Sequence, residues 1–356
     1  MTGLPGRTEP ATNTNRSYLL SGQPIMTTVD VTKTHIVKEL KHESPIISCR
    51  FDPSGKYVFF GAQDFKVWRW EWTGEAKVAL DHNAWVRGIA FHPDDQTVLT
   101  AGYDGRLVWW PVDAEKPEAI REVIAHEGWA RAVAVSPDGS LVATAGNDLK
   151  VKLWSFKDGA LVKELAGHDS HVYNVLFHPD GKRVVSGDLK AHLIEWNIET
   201  GEQLREITAE TLCKYDTTFR ADIGGFRGMA FDTTGSRLAG SGITEVTNAF
   251  AGVGNPAVVV YDWESGELLL QHESKEKLKG VGWGVVFHPD NFVIGISGGG
   301  SGGYLLFWKP DSKDEFYQFK LKNNARDLDL AADNLHVVTG HYDRYVRISM
   351  LAEKAS

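Results

Sequence analysis

Three histidines in one repeated context are the first residues in this chain that could hold a metal or move a proton. His92, His178 and His288 each stand between a phenylalanine and a Pro-Asp pair. Imidazole is a common metal ligand and general base, but the chain has no HExxH, no GxSxG and no Cys-His-Cys spacing to complete such a site. Because each histidine opens the first turn of a different repeat, we expect the three to lie apart on a rim and to fill turns.

The repeat is marked by a pentapeptide with turn chemistry that occurs seven times. Its proline fixes φ, its Asp or Ser bonds the local backbone, and its last residue supplies the left-handed conformation that closes a hairpin. Successive copies start 40 to 56 residues apart. The copies are FDPSG at 51–55, FHPDD at 91–95, VSPDG at 135–139, FHPDG at 177–181, FDTTG at 231–235, FHPDN at 287–291 and LAADN at 330–334.

Short β patterns surround each turn. VRGIAF at 86–91 and TVLTAG at 97–102 flank the second copy, and RLVWW at 106–110 follows it. These runs are β-branched and aromatic and are separated by Gly or Asp, which is typical of strands. With a fourth strand, such as GALVKEL at 159–165, each repeat makes a four-stranded antiparallel blade. Because both faces of a blade are apolar, the sequence predicts an all-β, seven-bladed propeller closed into a ring.

The two ends of the chain are expected to close that ring. The last repeat stops after its third strand, near 346–351, while THIVKEL at 34–40 precedes the first blade and has none of its own. We expect 34–40 to supply the outer strand of the last blade, within a single domain of residues 31–356. Residues 1–30 are rich in Thr, Pro, Gly and Asn and are predicted to be a disordered tail; translation from Met26 is the alternative.

Polar residues at fixed offsets complete a pattern that resembles the WD-repeat family over about residues 34–351. A histidine stands nine residues before the turn in each of the first four repeats, and two repeats add a hydroxyl, an aspartate and a tryptophan. In the family such residues form a hydrogen-bond chain within a blade, which the resemblance implies here for two sets. The sets are His82, Thr100, Asp104 and Trp110, and His126, Thr144, Asp148 and Trp154.

Other repeats depart from the family pattern. The first has Phe60 in place of the hydroxyl, the fourth has Lys190 in the aspartate position, and the last ends at Ser349 instead of tryptophan. No repeat ends in a literal Trp-Asp pair. We therefore expect blades 1 and 4 to 7 to depend more on apolar packing than on a polar network.

Composition argues against several classes of protein. The formal net charge is −9, from 38 basic and 47 acidic residues, which argues against non-specific nucleic-acid binding. Two cysteines, Cys49 and Cys213, do not make a disulfide framework. Since no apolar run approaches the ~18 residues that span a bilayer, and no secretory signal is visible, we expect a cytoplasmic protein.

The strongest functional signal is a set of residues at one position of the repeat. Four residues before each turn, where the inner strand enters from the family's top face, stand four arginines, a tyrosine, a tryptophan and Ile47. Guanidinium groups pair bidentately with carboxylate or phosphate, and Trp, Tyr and Arg are enriched at binding hot spots. With neighbouring loop residues, the predicted partner-binding set is Trp85, Arg87, Tyr103, Trp129, Arg131, His171, Tyr173, Arg227, Trp283, Arg326 and Tyr342.

The sequence thus predicts a non-catalytic scaffold that binds an acidic or phosphorylated protein or peptide, with no cofactor and no metal. The alternative is a propeller enzyme or small-molecule binder that uses the channel, where Asn174, Asp327 and Asp329 stand, and the loops of blades 5 and 6. Those loops, 208–225, 243–257, 274–279 and SGGGSGG at 297–303, are expected to form a lip beside the channel mouth. Nucleic-acid binding is a third, weaker hypothesis, and the oligomeric state stays open.

Overall fold

A computed structural model of the chain describes residues 28–218, 220–248 and 253–354. Strands account for nearly all of its regular structure, and the only helical elements in these ranges are two 3₁₀ turns, Val31–Lys33 and Glu210–Leu212. No helix in the described residues is long and apolar enough to cross a membrane.

In the described residues, thirty strands form seven four-stranded antiparallel sheets and one small hairpin. The N-terminal strand is β1 (His35–Lys41). Blade 1 is β2 (Ile46–Phe51), β3 (Tyr57–Ala62), β4 (Lys66–Glu71) and β5 (Lys77–Asp81). Blade 2 is β6 (Val86–Phe91), β7 (Thr97–Gly102), β8 (Arg106–Pro111) and β9 (Arg121–Ile124). Blade 3 is β10 (Ala130–Val135), β11 (Leu141–Gly146), β12 (Lys150–Ser155) and β13 (Leu161–Ala166). Blade 4 is β14 (Val172–Phe177), β15 (Arg183–Asp188), β16 (His192–Asn197) and β17 (Gln203–Thr208).

The remaining blades carry the irregular spacing. The hairpin β18 (Cys213–Asp216) and β19 (Ala221–Gly224) precedes blade 5. Blade 5 is β20 (Gly228–Phe231), β21 (Arg237–Asn248), β22 (Val253–Asp262) and β23 (Leu268–His272). Blade 6 is β24 (Val281–His288), β25 (Phe292–Gly298), β26 (Tyr304–Trp308) and β27 (Tyr317–Lys320). Blade 7 is β28 (Ala325–Leu330), β29 (His336–His341), β30 (Tyr345–Met350) and, from the other end of the chain, β1.

The ring closes as predicted. The first strand of every blade contacts the first strand of the next, and β28 of blade 7 contacts β2 of blade 1. The N-terminal strand β1 pairs antiparallel with β30, with His35 opposite Met350 and Lys41 opposite Tyr345. Blade 7 is therefore built from both ends of the chain, and separating the ends would expose the edge of β30.

The hydrophobic core lies between the blades. Within the described residues it divides into seven clusters, each shared by two neighbouring blades. Five tryptophans are nearly inaccessible to solvent: Trp70, Trp109, Trp196, Trp263 and Trp308. A single blade has no core of its own, and the apolar faces are covered only when neighbours stack.

The N-terminal approach to the ring begins earlier than the sequence predicted. Residues 1–27, including Met26, lie outside the described residues. Within the described range, Asp30 caps the first 3₁₀ turn through Thr32, and its backbone N–H donates to the carbonyl of Leu351 at 2.8 Å. Val29 and Val31 pack against the cluster between blades 6 and 7. Val29 and Asp30, within the predicted tail, thus already contact the propeller.

The seven turns behave as predicted, since the fifth residue of each has a positive φ of 58 to 75°. These residues are Gly55, Asp95, Gly139, Gly181, Gly235, Asn291 and Asn334. The histidines that open three of these turns contribute more than turn filling. In His92, His178 and His288, Nε2 donates across the blade boundary to the carbonyl of that left-handed residue in the next blade, at 2.8 to 3.0 Å. The three imidazole rings thus connect blade 2 to blade 3, blade 4 to blade 5 and blade 6 to blade 7 by hydrogen bonds.

This inter-blade hydrogen bond is expected to contribute modestly to stability. Replacing buried His178 by alanine leaves the Gly235 carbonyl without its donor, and we expect the free energy of unfolding to fall by about 1–2 kcal/mol. Urea denaturation followed by tryptophan fluorescence measures the change. His35→Ala is the control, because its ring bonds only the nearby Lys33 carbonyl; equal losses in both variants would show that the inter-blade bond is not responsible.

Candidate functional site: an arginine and aromatic ring at the channel mouth

One cavity of about 410 Å³ lies at the mouth of the central channel. Nine of the eleven predicted binding residues line it, and every blade contributes at least one side chain. Ile46, Ile47 and Gln63 complete the wall on the side of blade 1. The lining residues from the predicted set are Trp85, Arg87, Tyr103, Arg131, Tyr173, Arg227, Trp283, Arg326 and Tyr342.

The backbone explains why these positions face the mouth. In six blades the pairing between the first two strands skips one residue, which forms a β-bulge. In blade 2, for example, Val86 pairs with Gly102 and Gly88 pairs with Ala101, so Arg87 is left unpaired between them. A bulge redirects a side chain away from the normal alternation of a strand. The six bulged residues are Ile47, Arg87, Arg131, Tyr173, Trp283 and Arg326.

The longest reach across the mouth belongs to Arg87. Its Nη2 donates to the backbone carbonyl of Arg227 at 2.6 Å. Blade 2 and blade 5 are three blades apart, the largest separation that a ring of seven allows. Arg87 lines both the mouth cavity and a second cavity of about 300 Å³ further down the channel. Its side chain therefore lies across the channel, between the mouth cavity and the cavity below it.

A cage of rings holds Arg131 on the side of blades 2 to 4. Only 5% of its surface is exposed, and its guanidinium lies 4.0 Å from the ring centroid of Tyr173 and 4.7 Å from that of Trp129. Nε donates to Oδ1 of Asn147 at 2.5 Å. These contacts replace part of the lost hydration of a buried cation.

The other two arginines are less tied. Arg326 lies 4.6 Å from the ring centroid of Trp283 and 5.4 Å from that of Tyr342, and it has no hydrogen bond within the described residues. Arg227 lies between Tyr173 and Trp283, and its buried Nε finds no acceptor in that part of the chain. In both cases the guanidinium retains donors that no described protein group satisfies.

Mutual repulsion adds to the cost of assembling this group. Burial lowers the pKa of Arg131 and of Arg326, and the positive charges of Arg87 and Arg227 lower both further. Within the described chain, no carboxylate lies within 4.0 Å of any of the four guanidinium groups. The mouth is thus a concentrated positive site in a protein whose formal net charge is −9.

Two predicted residues lie beside the cavity instead of in its wall. Trp129 stacks on Tyr103, with ring centroids 4.3 Å apart and an angle of 4° between the planes. His171 is half-buried, and its pKa is lowered by burial and by the charge of Arg131. Sequence reasoning missed Gln63 as a wall residue, although it directly precedes Asp64 as Tyr103 precedes Asp104.

Behind the mouth, hydrogen-bond chains fix the loops that carry it. In blade 3, Trp154 Nε1 donates to the Thr144 hydroxyl at 2.9 Å, which contacts His126 Nε2 at 2.8 Å, while His126 Nδ1 lies 2.7 Å from Asp148. Burial raises the pKa of Asp148, but the hydrogen bonds and charges of His126 and Lys152 together outweigh it and bring the value to about 2. His126 is three residues from Trp129 in sequence, so the chain anchors the loop beneath the exposed ring.

Blade 2 has the same hydrogen-bond chain, but its contact between histidine and aspartate is longer. Trp110 Nε1 donates to Thr100 at 2.8 Å, and Thr100 contacts His82 Nε2 at 2.7 Å. His82 Nδ1 lies 3.5 Å from Asp104 Oδ2, without hydrogen-bond geometry. Asp104 instead accepts from the backbone N–H of Asn83 at 3.0 Å, so it still links the two top-face loops that carry Trp85 and Tyr103.

Blade 4, predicted to depend more on apolar packing than on a polar network, nevertheless has a polar network. His168 Nδ1 bonds Asp188 at 2.9 Å and its Nε2 contacts Ser186 at 2.7 Å, while Trp196 Nε1 donates to Ser186 at 2.8 Å. The aspartate comes two residues after the hydroxyl instead of four, and Lys190 in the expected position pairs with Asp169 at the surface. Blade 1 keeps a reduced version, in which both His42 and Trp68 bond Asp64.

The polar residues of the channel are already engaged between neighbouring inner strands. Asp327 accepts from Arg50 Nη1 at 2.6 Å and from the backbone N–H of Cys49 at 3.0 Å. Asp329 accepts from the N–H of Phe51 at 2.9 Å, and Asn174 donates to the carbonyl of Phe226 at 2.8 Å. These side chains link blade 7 to blade 1 and blade 4 to blade 5 by hydrogen bonds.

One group of side chains in the described residues has the spacing of a cation site. The ligand atoms of Asp169, Asp188 and His192 lie within 4.8 Å of one another. Each is occupied: Asp169 pairs with Lys190 at 2.7 Å, Asp188 with His168 at 2.9 Å, and His192 with Glu206 at 2.7 Å. The group therefore belongs to the blade 4 network.

The insertions of blades 5 and 6 pack on one another. Lys214 Nζ, on β18, donates to the carbonyl of Val246 on β21 at 2.8 Å. Lys279 bonds Asn255 on β22 at 2.7 Å, and Ser301 in the glycine-rich loop accepts from its backbone N–H at 2.8 Å. The loop joins β25 to β26, as predicted. Residues 219 and 249–252 of these segments lie outside the described residues.

Comparison with known protein families agrees with this architecture. The sequence model of the WD domain, G-beta repeat, matches residues 34–71, 76–111, 117–155 and 159–197. Each match covers an outer strand and the first three strands of the next blade. Together with the seven-bladed ring, these matches support a WD-repeat β-propeller.

A curated protein is similar to a short part of this chain. Nuclear distribution protein PAC1-1 of Uncinocarpus reesii (strain UAMH 1704) is 35% identical to this chain over 63 residues. The similar segment is 17% of this chain and 14% of the length of that relative.

Proposed function

We propose that this protein is a non-catalytic scaffold that binds an acidic or phosphorylated segment of a partner protein at the channel mouth. The observation that carries the proposal is the group of four guanidiniums around one cavity, none of them paired with a carboxylate in the described chain. A carboxylate or phosphoryl group supplies the missing charge and accepts from several guanidinium donors at once.

Of the ten described arginines outside the mouth, six are paired with a carboxylate, whereas Arg69, Arg121, Arg220 and Arg344 are not. The six paired arginines lie within 4.0 Å of a carboxylate: Arg50, Arg106, Arg183, Arg205, Arg237 and Arg347. The mouth differs because all four of its arginines lie around one cavity and none of them has a carboxylate within 4.0 Å in the described chain. Clusters of unpaired arginines are a recurrent means of recognising phosphorylated or acidic motifs.

The channel supports a scaffold better than an enzyme. Its acids, Asp327 and Asp329, hold neighbouring strands together through Arg50 and two backbone N–H groups. Because propeller scaffolds and propeller enzymes share a fold, only the chemistry of the site can distinguish the two functions. Here the site offers positive charge and aromatic surface, which suit recognition of a macromolecule.

Affinity capture from native lysate tests the proposal. Wild-type protein should retain a protein partner that a variant with Arg87, Arg131, Arg227 and Arg326 changed to alanine loses, as judged by mass spectrometry. A matched control removes four charges at exposed positions, Lys56, Lys116, Lys182 and Lys313, and should capture normally. Circular dichroism confirms that each variant folds.

Two results would contradict the proposal. If the arginine variant captures the same partner as wild type, the mouth is not the binding site. If nuclease treatment abolishes capture, the partner is nucleic acid, and strong weakening by salt should accompany that result.

A further inference from the structure

The top face next to the mouth carries a ridge of three aromatic side chains, Trp85, Tyr103 and Trp129. Trp85 and Trp129 are 36% and 41% exposed. Tyr103 lies between them, 6.2 Å from Trp85 and 4.3 Å from Trp129 by ring centroids. Large exposed aromatic groups in contact on one face of a protein mark interaction surfaces.

The ridge is contiguous with the positive cavity. The guanidinium of Arg131 lies 4.7 Å from the Trp129 centroid and 5.4 Å from that of Tyr103. One residue of an extended chain spans about 3.3–3.6 Å. An extended segment anchored at Arg131 therefore places its next one or two side chains on the ridge.

The packing of the ridge determines what fits on it. Tyr103 has Trp85 on one side and Trp129 on the other, and Trp129 has one face covered by Tyr103 and Arg131 beside it. The rings consequently offer edges and partial faces. Stacking of a nucleobase needs an open aromatic face, whereas an aliphatic, proline or aromatic side chain packs against such a surface through apolar contact.

We infer that the mouth and the ridge act as two adjacent subsites for one extended protein segment. The anionic side chain of that segment enters the arginine cavity, and a large apolar side chain one or two residues away packs on Trp85, Tyr103 and Trp129. This inference rests on the proposed function, because the anionic subsite is the same cavity. It adds that the partner is selected by an anionic side chain and an apolar side chain at a fixed spacing, not by charge alone.

Oriented peptide libraries provide the test. One library fixes glutamate and the other phosphothreonine at the centre, with degenerate flanking positions, and each is passed over immobilised wild-type protein. We expect enrichment of Leu, Pro, Phe or Trp one or two positions from the fixed residue. Trp129→Ala should bind selected peptides about tenfold more weakly and lose the apolar preference, as expected for truncation of an interface aromatic.

Matched variants separate the two claims. Tyr215→Ala, at a 56% exposed tyrosine on the β18–β19 hairpin, should bind like wild type. Anionic peptides that bind wild type without an apolar preference, or a preference that survives Trp129→Ala, would overturn the two-subsite inference and leave the proposed function standing. If no anionic peptide binds wild type, or if the four-arginine variant binds equally well, both fail. Displacement of bound peptide by a short oligouridylate would overturn the protein-segment assignment.

Discussion

Replacing Asp188 by alanine is expected to lower the free energy of unfolding by about 3 kcal/mol, because it removes the acceptor at the centre of a buried network. The Asp188 side chain is inaccessible to solvent and accepts from His168 Nδ1 and from the backbone N–H groups of Lys190 and His192, each at 2.9 Å. Alanine leaves the buried His168 ring and two partly buried backbone N–H groups without this acceptor. Urea denaturation followed by tryptophan fluorescence measures the loss.

The control is Lys190→Ala, at the position that family spacing assigns to the aspartate. Its ammonium group makes a surface ion pair with Asp169, and such pairs are worth about 0–1 kcal/mol. We expect this variant to lie within about 0.5 kcal/mol of wild type. A larger loss from Lys190→Ala than from Asp188→Ala would show that the blade 4 network is not the stabilising element described above.

Replacing two neighbouring channel aspartates should affect stability differently. Asp327→Ala removes the carboxylate that pairs with Arg50 and accepts from Cys49 N–H, and it leaves a partly buried cation at the closure of blade 7 on blade 1. We expect a loss of about 3 kcal/mol in the free energy of unfolding, the lower end for breaking a buried ion pair, since a third of the Arg50 side chain is exposed.

Asp329→Asn should instead be neutral or stabilising at neutral pH. Burial raises the pKa of Asp329 to about 6, so the folded state binds its proton more tightly than the unfolded state, where the pKa is about 3.9. The stabilisation due to the bound proton is complete below about pH 4 and is lost as the pH rises through about 6. Asparagine carries no charge but can still accept from the N–H of Phe51.

Paired denaturation curves at pH 5 and pH 8 measure this difference. The stability of Asp329→Asn relative to wild type should increase between these pH values by about 1 kcal/mol. Taking the difference at each pH removes titrations that both proteins share. If Asp329→Asn is less stable than wild type at pH 8, the charged hydrogen bond to Phe51 outweighs the cost of burying the carboxylate.

Much of the fold followed from local patterns in the chain. The left-handed residue of each turn, such as Gly139 or Asn334, is set by turn chemistry within five residues. Strand patterns around the turns and the surplus strand at 34–40 then required seven blades and closure between β1 and β30. The arginine positions of the mouth also followed, because each stands at a constant offset from its turn.

The details of the site depended on contacts between distant residues. Asp188 and Lys190 both lie near the expected aspartate position, and only the three-dimensional path of the β15–β16 turn brings Asp188 to His168. The bridge from Arg87 to the carbonyl of Arg227 joins residues on opposite sides of the ring. Neither contact has a sequence signature, since it depends on where a side chain ends after the ring has closed.

The sequence by itself determined the repeat, the number of blades, the way the ends join and which residue types approach the channel mouth. Turn and strand chemistry act over a few residues, and the repeat copies them around an axis. Tertiary structure decided that bulges turn those residues inward, that Asp327 is matched with Arg50 in the channel, and that the four mouth arginines have no carboxylate beside them in the described chain. Whether a charged side chain is paired depends on contacts between blades that are far apart in sequence. Only the folded structure therefore shows which charges remain free to bind a partner.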